Sequence, residues 1–416
     1  MNTPKRILVV GGGPAGIMAA IKAGQLGADV TLIEKNNSLG RKLLLTGNGR
    51  CNLTNTRTVE KFIESFFSGG QFLRDALKAL SNRDLIRFFE AEGTEFNVEE
   101  GGKVFPSTDR ASSILQVLDK KLQESGVRIL YGKHIEDVVV RDGKIAGAAF
   151  LDGTGLIECD RLIIATGGLS YSATGSSGDG LRIAKEVGHK VVPLRPGLVP
   201  LETDKNFAAS MEGLALKDIR LIFSDGKKKI LSEKGDVMFT GSGITGPIVI
   251  SMSGRIVDWA GEGKMVHVSI DVKPELSPEK VDAFLLKIFA DSPNKFLKNI
   301  LKEKLPERLV DAMIDIAGID SSRKGNQVTH KERAALVLML KGFRMDIKGG
   351  RPIEEAMITR GGVSLKEIDP RTMQSRLIKG LYFAGEVLDV DGDTGGFNLQ
   401  AAFSTGWLAG ESAARA

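Results

Sequence analysis

The amino-acid sequence predicts an α/β protein whose first and last segments build one domain around a long inserted α+β region. A glycine-rich turn of the form Gly-x-Gly-x-x-Gly follows the first apolar run, at Gly11–Gly16. A second glycine-rich corner, Gly395–Asn398, lies between another apolar run and the last helix. The stretch between them changes from strand-rich to helical and back. Together these features predict a Rossmann dinucleotide-binding domain that an insertion interrupts.

The N-terminal strand–turn–helix–strand unit has the pattern of a dinucleotide site. Ile7–Val10 form a short apolar strand, and Pro14–Leu26 form a helix with one apolar face. Val30–Ile33 form a second strand that ends at Glu34. A carboxylate there is placed to accept hydrogen bonds from a ribose diol. The alternative is a glycine-rich turn without a ligand.

The glycines of this unit have separate tasks. Gly11 permits the tight turn, Gly13 lets a pyrophosphate approach the backbone, and Gly16 allows the helix and strand to pack closely. The free N–H groups at the start of the helix favour a negatively charged group. The predicted cofactor contacts in this unit are Gly11, Gly13, Pro14, Ala15, Gly16, Glu34 and Lys35.

A loop rich in Gly, Asn, Thr and basic residues, Ser38–Asn55, follows the acidic residue. It lacks regular periodicity and offers many hydrogen-bond donors, so it is suited to wrap a pyrophosphate and to reach a flavin ring. The alternative is an ordinary polar loop. The predicted cofactor contacts in this loop are Arg41, Lys42, Thr46, Gly47, Asn48, Gly49, Cys51 and Asn52.

Helices and strands alternate in the rest of the first segment. Lys61–Glu92 has apolar residues at helical spacing and is expected to form two helices, and Leu156–Ile164 is expected to form one strand. This strand leads into a loop rich in Ser and Gly that ends at Gly180. Further predicted cofactor contacts are Ile135, Thr166, Gly167 and Gly168.

The insertion is expected to begin where Pro193, Pro196 and Pro200 indicate a linker. Strand-type segments are followed by a strongly helical stretch, Ser277–Leu340, and then by extended and turn character. The predicted dinucleotide-binding domain comprises residues 1–190 and 370–416. The β-rich insertion comprises residues 191–275 and 341–369, and the helical part comprises residues 276–340.

The C-terminal corner lies after a strand and before the predicted helix Phe397–Ala414. A helix N-terminus there is suited to the pyrimidine edge of a flavin, which becomes negatively charged on reduction. Two such corners suit FAD, and the alternative is a glycine-rich turn before a packing helix. The predicted contacts are Gly385, Glu386, Asp391, Gly395, Gly396, Phe397, Asn398 and Leu399.

Composition narrows the class of protein. Of the 416 residues, 42% are hydrophobic and 26% are charged, as in globular proteins. Two cysteines argue against a disulfide framework or a cysteine-rich metal site, so we expect a cytoplasmic protein, without a signal peptide or membrane span. The net charge of +5 is dispersed, and Lys227–Lys229 are interpreted as a solvated turn. A nucleic-acid partner is therefore disfavoured.

The sequence predicts no metal site and assigns no catalytic acid or base. Its four histidines are scattered, and no Ser-His-Asp pattern is evident. Cys51 lies in the loop expected near the flavin, whereas Cys159 belongs to a separate strand. A cofactor contact is therefore favoured over a redox disulfide for Cys51. The flavin is expected to supply the hydride or electron chemistry.

The whole chain resembles the YhiN-type family of bacterial flavoproteins, which are also described as aminoacetone-oxidase-like or 3-dehydro-bile-acid-reductase-like. The resemblance implies a glutathione-reductase-like FAD-binding domain, interrupted by a β-barrel-like domain and a small helical domain. It also implies tightly bound FAD. The segments that carry the resemblance are Gly11–Gly16, Gly40–Asn55, Ala165–Gly180, Gly385–Asp389 and Gly395–Gln400.

The resemblance predicts an FAD-dependent oxidoreductase that transfers hydride or electrons between the flavin and a small or medium organic substrate. The expected substrate is of the enone, ketone or amine type, and NADH or NADPH is a candidate reductant. Relatives often carry a histidine after the equivalent of Phe239-Thr240, where this chain has Gly241, so no role of that histidine carries over. Two alternatives stay open: an FAD-linked RNA-modifying protein, and a flavin electron carrier without a dedicated organic substrate.

Overall fold

The computed structural model describes residues 3–416, apart from the side chains of residues 205–207. The chain divides into two compact units. One contains the residues up to Gly197 together with Ile353–Ala416, and the other contains Leu198–Pro352. Within residues 3–416, no helix has both the length and the apolar character needed to cross a bilayer.

The helices follow one another in this order: α1 (Pro14–Gln25), α2 (Val59–Glu64), α3 (Arg74–Ala79), α4 (Asn82–Glu90), α5 (Ala111–Glu124), α6 (Asp179–Glu186), α7 (Lys205–Ser210), α8 (Pro247–Gly261), α9 (Pro278–Asp291), α10 (Leu297–Lys302), α11 (Glu307–Ile316), α12 (His330–Gly342) and α13 (Phe397–Arg415).

The strands are β1 (Arg6–Val10), β2 (Asp29–Glu34), β3 (Thr54–Asn55), β4 (Phe66–Ser68), β5 (Phe96–Glu99), β6 (Lys103–Pro106), β7 (Arg128–Tyr131), β8 (Ile135–Arg141), β9 (Lys144–Phe150), β10 (Leu156–Glu158), β11 (Arg161–Ile164), β12 (Val191–Gly197), β13 (Leu201–Glu202), β14 (Ala215–Ser224), β15 (Lys229–Thr240), β16 (Gly243–Thr245), β17 (Val266–Asp271), β18 (Phe343–Ile347), β19 (Gly349–Gly350), β20 (Ile358–Val363), β21 (Leu381–Phe383) and β22 (Asp391–Gly392).

A five-stranded sheet in the order β21–β11–β1–β2–β7 forms the centre of the first unit. All its neighbouring strands are parallel. The chain builds outward from β1 to β2 and β7, and then returns to place β11 and β21 on the other side. This reversal creates a topological switch point at the carboxyl end of β1, where ligands bind in such sheets. The predicted Rossmann-type α/β fold is confirmed.

The predicted proline linker is a strand in the structure. Val191–Gly197 pairs antiparallel with Ile358–Val363, and the register shifts between Val192 and Arg195. The irregularity leaves Pro193 outside the ladder, where its missing N–H is not required. Through this pairing the first unit extends to residue 197 and resumes at residue 353, whereas the predicted boundaries lie at 190 and 370.

Two other segments differ from the sequence-based prediction. Lys61–Glu92 includes most of α2 and all of α3 and α4, and strand β4 separates α2 from α3 because Phe66–Ser68 pairs with Asp391–Gly392. A partner so distant in the chain leaves no local pattern. Leu156–Ile164 splits into β10, which pairs with β9, and β11, which joins the parallel sheet.

The second unit has a seven-stranded sheet in the order β18–β17–β14–β15–β16–β13–β19. Its neighbouring strands are antiparallel. The stretch predicted to be helical contains α9 to α12, whose apolar residues share one buried cluster with the sheet. Helix α8 was not predicted, because its β-branched residues, glycine and serines favour helix only weakly.

A buried histidine of the first unit predicts a pH dependence of stability. The ring of His189 is hydrogen-bonded to Glu367 Oε2 at 3.0 Å and to Ser375 Oγ at 2.8 Å, and it packs edge-on against Phe383. Burial lowers the pKa of His189, although the Glu367 carboxylate partly offsets this effect. His189 is therefore protonated less readily in the folded chain than in the unfolded chain. The contribution of neutral His189 to folding stability is present above the unfolded pKa and is lost as the pH falls below it.

We expect the melting temperature to fall as the pH is lowered through the ordinary histidine pKa of about 6.5, and His189→Gln to flatten that slope. Thermal melts on both sides of this pH measure both slopes. His330→Gln is the matched control, since His330 is exposed. Parallel slopes for the wild type and His189→Gln would contradict this assignment.

Candidate functional site

Neighbouring backbone leaves no room for a side chain at Gly11, in the turn between β1 and α1, or at Gly16, near the start of α1. A Cβ on Gly11, where φ is 110°, would lie 2.4 Å from the carbonyl oxygen of Ala165. A Cβ on Gly16 would lie 1.8 Å from that of Gly11, whereas a Cβ on Gly13 would have no neighbour within 4 Å. No side chain of the described residues caps the N-terminus of α1. The space in front of it is therefore suited to a phosphate.

The carboxylate of Glu34 is held from two sides at the end of β2. Oε2 accepts a hydrogen bond from the backbone N–H of Gly12 at 2.8 Å. Oε1 accepts from the backbone N–H of Asn36 at 2.8 Å and from its side-chain amide at 2.6 Å. Because a carboxylate offers about four acceptor positions, one is left for a hydroxyl group. Glu34 is 8% exposed, so this geometry fits a ribose contact from within a cleft.

One cleft of the first unit brings together residues from many of its segments. The predicted cofactor contacts that line it are Gly11, Gly13, Pro14, Ala15, Glu34, Lys35, Arg41, Lys42, Thr46, Ile135, Thr166, Gly167, Gly385, Glu386, Asn398 and Leu399. Lining residues outside the predicted set include Gly12, Asn36, Leu73, Lys133, His134, Thr174, Asp179, Met357, Ile358 and Val390. Leu73, Lys133, Met357 and Ile358 are distant in sequence from the glycine-rich motifs, so no motif signalled them. Gly12, Thr174 and Asp179 lie within segments that carry the family resemblance, although they were not predicted as contacts.

Helix α13 runs parallel to α1 and projects beyond its start. A Cβ on Gly406 would lie 2.1 Å from the carbonyl oxygen of Ala15, and one on Gly410 would lie 2.2 Å from that of Ala19. In this register, residue 405 lies beside the first residue of α1, and α13 begins eight residues earlier, at Phe397. At 1.5 Å per residue, the two N-termini are about 12 Å apart along the axis.

Like α1, helix α13 has no side-chain cap at its N-terminus among the described residues. Because the two helices are parallel, their uncapped N-termini face the same direction, and they lie at different depths of the first unit. A phosphate group suits the start of α1. A group that becomes negative on reduction suits the start of α13. This separation fits a molecule in which a pyrophosphate and a flavin ring are joined by a chain, as in FAD.

A fixed ion pair lies on the wall of the cleft. The ammonium of Lys42 donates to Glu386 Oε2 at 2.6 Å and to Ser170 Oγ at 2.7 Å. Glu386 also accepts from Ser170 Oγ at 3.0 Å and from the backbone N–H of Thr359 at 2.7 Å. These bonds use two of the three ammonium donors. Lys42 is therefore held in a fixed orientation on the wall of the cleft, and its third ammonium donor is left for a ligand.

An unsatisfied hydroxyl group also points to a missing ligand. Oγ1 of Thr166 is buried and finds no hydrogen-bond partner among the residues that the structure describes, and Thr166 lines the cleft. A Cβ on Gly180 would lie 2.2 Å from this oxygen, so the start of α6 packs directly behind it. Buried polar groups are rarely left without a partner. A cofactor with hydroxyl or phosphate oxygens would satisfy Thr166.

A network of charged side chains lies in the part of the cleft next to the end of β2. Lys35 donates to Asp179 Oδ2 at 2.7 Å and to the hydroxyl of Ser177, and His134 Nε2 lies 3.2 Å from the same carboxylate oxygen. Burial alone would raise the pKa of Asp179. The hydrogen bonds from Lys35 and Ser177 outweigh this effect, so the pKa of Asp179 lies below its ordinary value. Asp179 is therefore ionised, and its ion pair with Lys35 connects the start of α6 to the end of β2.

The remaining predicted contacts lie outside the lining. Gly16 and Gly168 pack against neighbouring chain, since a Cβ on Gly168 would lie 2.3 Å from Thr359 Oγ1. Phe397 packs edge-on against Phe62, with 4.8 Å between the ring centroids. The others are Gly47, Asn48, Gly49, Cys51, Asn52, Asp391, Gly395 and Gly396.

Cys51 is expected to be chemically inert in the folded protein. It is fully buried, and burial raises the pKa of its thiol to about 12, although Thr46 opposes this effect. Since the thiolate is the reactive form, a disulfide-exchange reagent should label neither Cys51 nor Cys159, which is also buried, before unfolding. Labelling in buffer and in denaturant measures this. Rapid labelling of native Cys51, absent in Cys51→Ala, would instead support a redox role.

Comparison with known proteins adds independent evidence. The model of the HI0933-like protein Rossmann domain family matches residues 5–412. The chain is 32% identical to the 3-dehydro-bile acid delta(4,6)-reductase of Clostridium scindens over 416 residues, covering 98% of this chain and 99% of the relative. It is also 32% identical to the ribosomal RNA dihydrouridine synthase of Escherichia coli over 406 residues, covering 96% of each.

A solved structure is similar in fold. The 3-ketosteroid-delta4-(5alpha)-dehydrogenase of Rhodococcus jostii RHA1 superposes with a TM-score of 0.54 at 15% identity, covering 100% of this chain and 98% of that one. At this identity, the likeness concerns the fold alone.

Proposed function

Since this chain belongs to the HI0933-like family and is an FAD-dependent oxidoreductase, we propose that it reduces a carbon–carbon double bond conjugated to a carbonyl group in a small or medium organic molecule. The observation that carries the proposal is the similarity over the full chain to a 3-dehydro-bile acid delta(4,6)-reductase. A name of this kind describes hydrogen addition to such a double-bond system. When bound, FAD supplies the hydride chemistry.

The chain's own residues hold and orient the cofactor in this proposal. The first N–H groups of α1 bind the pyrophosphate, and Glu34 accepts hydrogen bonds from the ribose. Lys42, already fixed by Glu386 and Ser170, offers its third ammonium donor on the same wall. The start of α13 stabilises negative charge on the reduced ring. Reduction of the cofactor by NADH or NADPH is part of the proposal.

A second candidate substrate is supported by one specific observation. The similarity to a ribosomal RNA dihydrouridine synthase also spans nearly the whole chain. Formation of dihydrouridine likewise saturates a carbon–carbon double bond next to a carbonyl group. The two candidates therefore share one type of step and differ in the size of the substrate. The dispersed net charge of +5 favours the smaller substrate.

The test is anaerobic reoxidation of the reduced protein in a stopped-flow instrument. The flavin is first reduced with NADH or NADPH, then mixed separately with a cyclic enone, the matching saturated ketone, uridine-containing RNA or oxygen. We expect the enone to reoxidise the flavin much faster than the saturated ketone. Reoxidation by RNA alone would establish the second candidate. Reoxidation by oxygen alone would contradict both and favour an electron carrier.

A further inference from the structure

The side chain of Asn36 lies at the centre of a set of hydrogen bonds next to Glu34. Its Nδ2 donates to Glu34 Oε1 at 2.6 Å and to the carbonyl oxygen of Thr174 at 3.2 Å. Its Oδ1 accepts from Nη1 of Arg41 at 2.6 Å. Asn36 therefore connects the end of β2 to the loop before α6, which lies 138 residues further along the chain.

These partners fix the orientation of the Asn36 amide. In the reversed orientation, Nδ2 would face the guanidinium of Arg41, which has only donors, and Oδ1 would face a carboxylate and a carbonyl oxygen, which are acceptors. The backbone of Asn36 is also held, because its carbonyl oxygen accepts from the N–H of Gly132 at 3.1 Å. Asn36 is therefore a fixed donor group beside the carboxylate of Glu34.

The loop before α6 packs closely against this amide. Gly175 has a φ of 110°, and a Cβ there would lie 2.5 Å from Asn36 Nδ2 and 3.4 Å from Lys35 Cε. A side chain at this position would therefore displace the amide. Both Asn36 and Gly175 line the cleft, so the packing holds Asn36 in place on the cleft wall.

The two oxygens of the Glu34 carboxylate are used unequally. Oε1 accepts from the backbone N–H of Asn36 at 2.8 Å and from its side-chain amide at 2.6 Å. Among the residues that the structure describes, Oε2 accepts only from the backbone N–H of Gly12, at 2.8 Å. Each carboxylate oxygen offers about two acceptor positions, so Oε1 is saturated and the open position belongs to Oε2.

We propose that Asn36 is a positioning residue that directs Oε2 of Glu34 toward the adenosine ribose of FAD. Asn36 saturates Oε1 and holds the carboxylate in one orientation, so less side-chain entropy is lost when a ribose hydroxyl group binds. Arg41 and Thr174 contribute by fixing the amide. This inference rests on the ribose contact of the proposed function, and it adds a residue that acts through Glu34.

The experiment compares FAD with an analogue whose adenosine ribose lacks both hydroxyl groups. Fluorescence titration of the apoprotein gives the two dissociation constants, and their ratio isolates the contribution of the hydroxyl groups. For the wild type, we expect FAD to bind roughly ten- to a hundred-fold more tightly than the analogue. Asn36→Ala should reduce this ratio roughly two- to ten-fold and leave the affinity for the analogue nearly unchanged.

A merely structural role of Asn36 would weaken the binding of both ligands alike and leave their ratio unchanged. Asn97→Ala is the matched control, because Asn97 is an exposed residue of β5, and it should keep the wild-type ratio. Melts of the apoproteins monitor folding. If Asn36→Ala does not fold, Asn36→Asp decides the question, since it keeps the size of the side chain and the acceptor for Arg41 but has no side-chain N–H for Glu34.

A wild-type ratio in the folded Asn36 variant would overturn the proposal. Glu34→Ala then shows how much else is wrong. If Glu34→Ala abolishes the ratio, only the role of Asn36 is wrong. If Glu34→Ala also keeps the ratio, the ribose contact of the proposed function is wrong as well. Because equilibrium binding needs no turnover, neither result depends on the organic substrate.

Discussion

Gly406→Ala is expected to destabilise the protein by about 1–3 kcal/mol and to lower its FAD content, because it overpacks the contact between α1 and α13. The new methyl group would lie 2.1 Å from the carbonyl oxygen of Ala15, a backbone atom that cannot move independently of α1. A shift of either helix changes the separation of the two N-termini that face the cofactor. Denaturant melts and the flavin-to-protein absorbance ratio measure the two effects.

The matched control for this prediction is Gly261→Ala at the end of α8. There a Cβ would have no neighbour within 4 Å, so the same substitution adds a methyl group without a clash. In a helix, alanine is favoured over glycine by roughly 1 kcal/mol, so this variant should be neutral or slightly more stable. If Gly406→Ala were as stable as Gly261→Ala and kept its FAD, the close contact between α1 and α13 would not be required for stability or FAD binding.

Glu34→Ala is expected to weaken FAD binding by roughly ten- to a hundred-fold, since a hydrogen bond to a charged group contributes about 1.5–3 kcal/mol. The substitution also removes the acceptor for the backbone N–H groups of Gly12 and Asn36. Part of its effect is therefore on the folded apoprotein. Fluorescence titration of apoprotein with FAD measures affinity, and melts without FAD measure the structural part.

A second Glu→Ala substitution, at an exposed position, separates the loss of the ribose contact from the general effect of losing a negative charge. Glu64→Ala removes a carboxylate whose side chain is 63% exposed, and it should leave FAD affinity unchanged. Riboflavin, which lacks the ribose and pyrophosphate, should bind equally well to the wild type and to Glu34→Ala. An unchanged affinity of folded Glu34→Ala for FAD would place the ribose elsewhere.

The parts of the site that the sequence predicted are those with local causes. Gly11, Gly16 and Glu34 lie within one strand–turn–helix–strand unit, and the contacts that require them come mainly from that unit and the neighbouring β11 end. The spacing of these residues along the chain was therefore enough to predict their positions in the site. The helix α13 and its glycine-rich start were likewise visible as a local pattern.

The parts that the sequence did not predict depend on contacts between distant segments. Asp179 joins the cleft by pairing with Lys35, and Ile358 joins it through the pairing of β20 with β12. Prolines in β12 indicated a linker because the register irregularity that accommodates Pro193 exists only in the paired state. Such residues become functional candidates only when the fold is known.

The most direct test of the central claim, that the two helix N-termini and Glu34 hold FAD, is identification of the cofactor that the purified protein releases on denaturation. Chromatography against flavin standards, with protein and flavin quantified in the same sample, gives both identity and stoichiometry. The structure predicts FAD at one molecule per chain and a reduced ratio for Glu34→Ala. Release of FMN, or a colourless protein that does not take up added FAD, would contradict it.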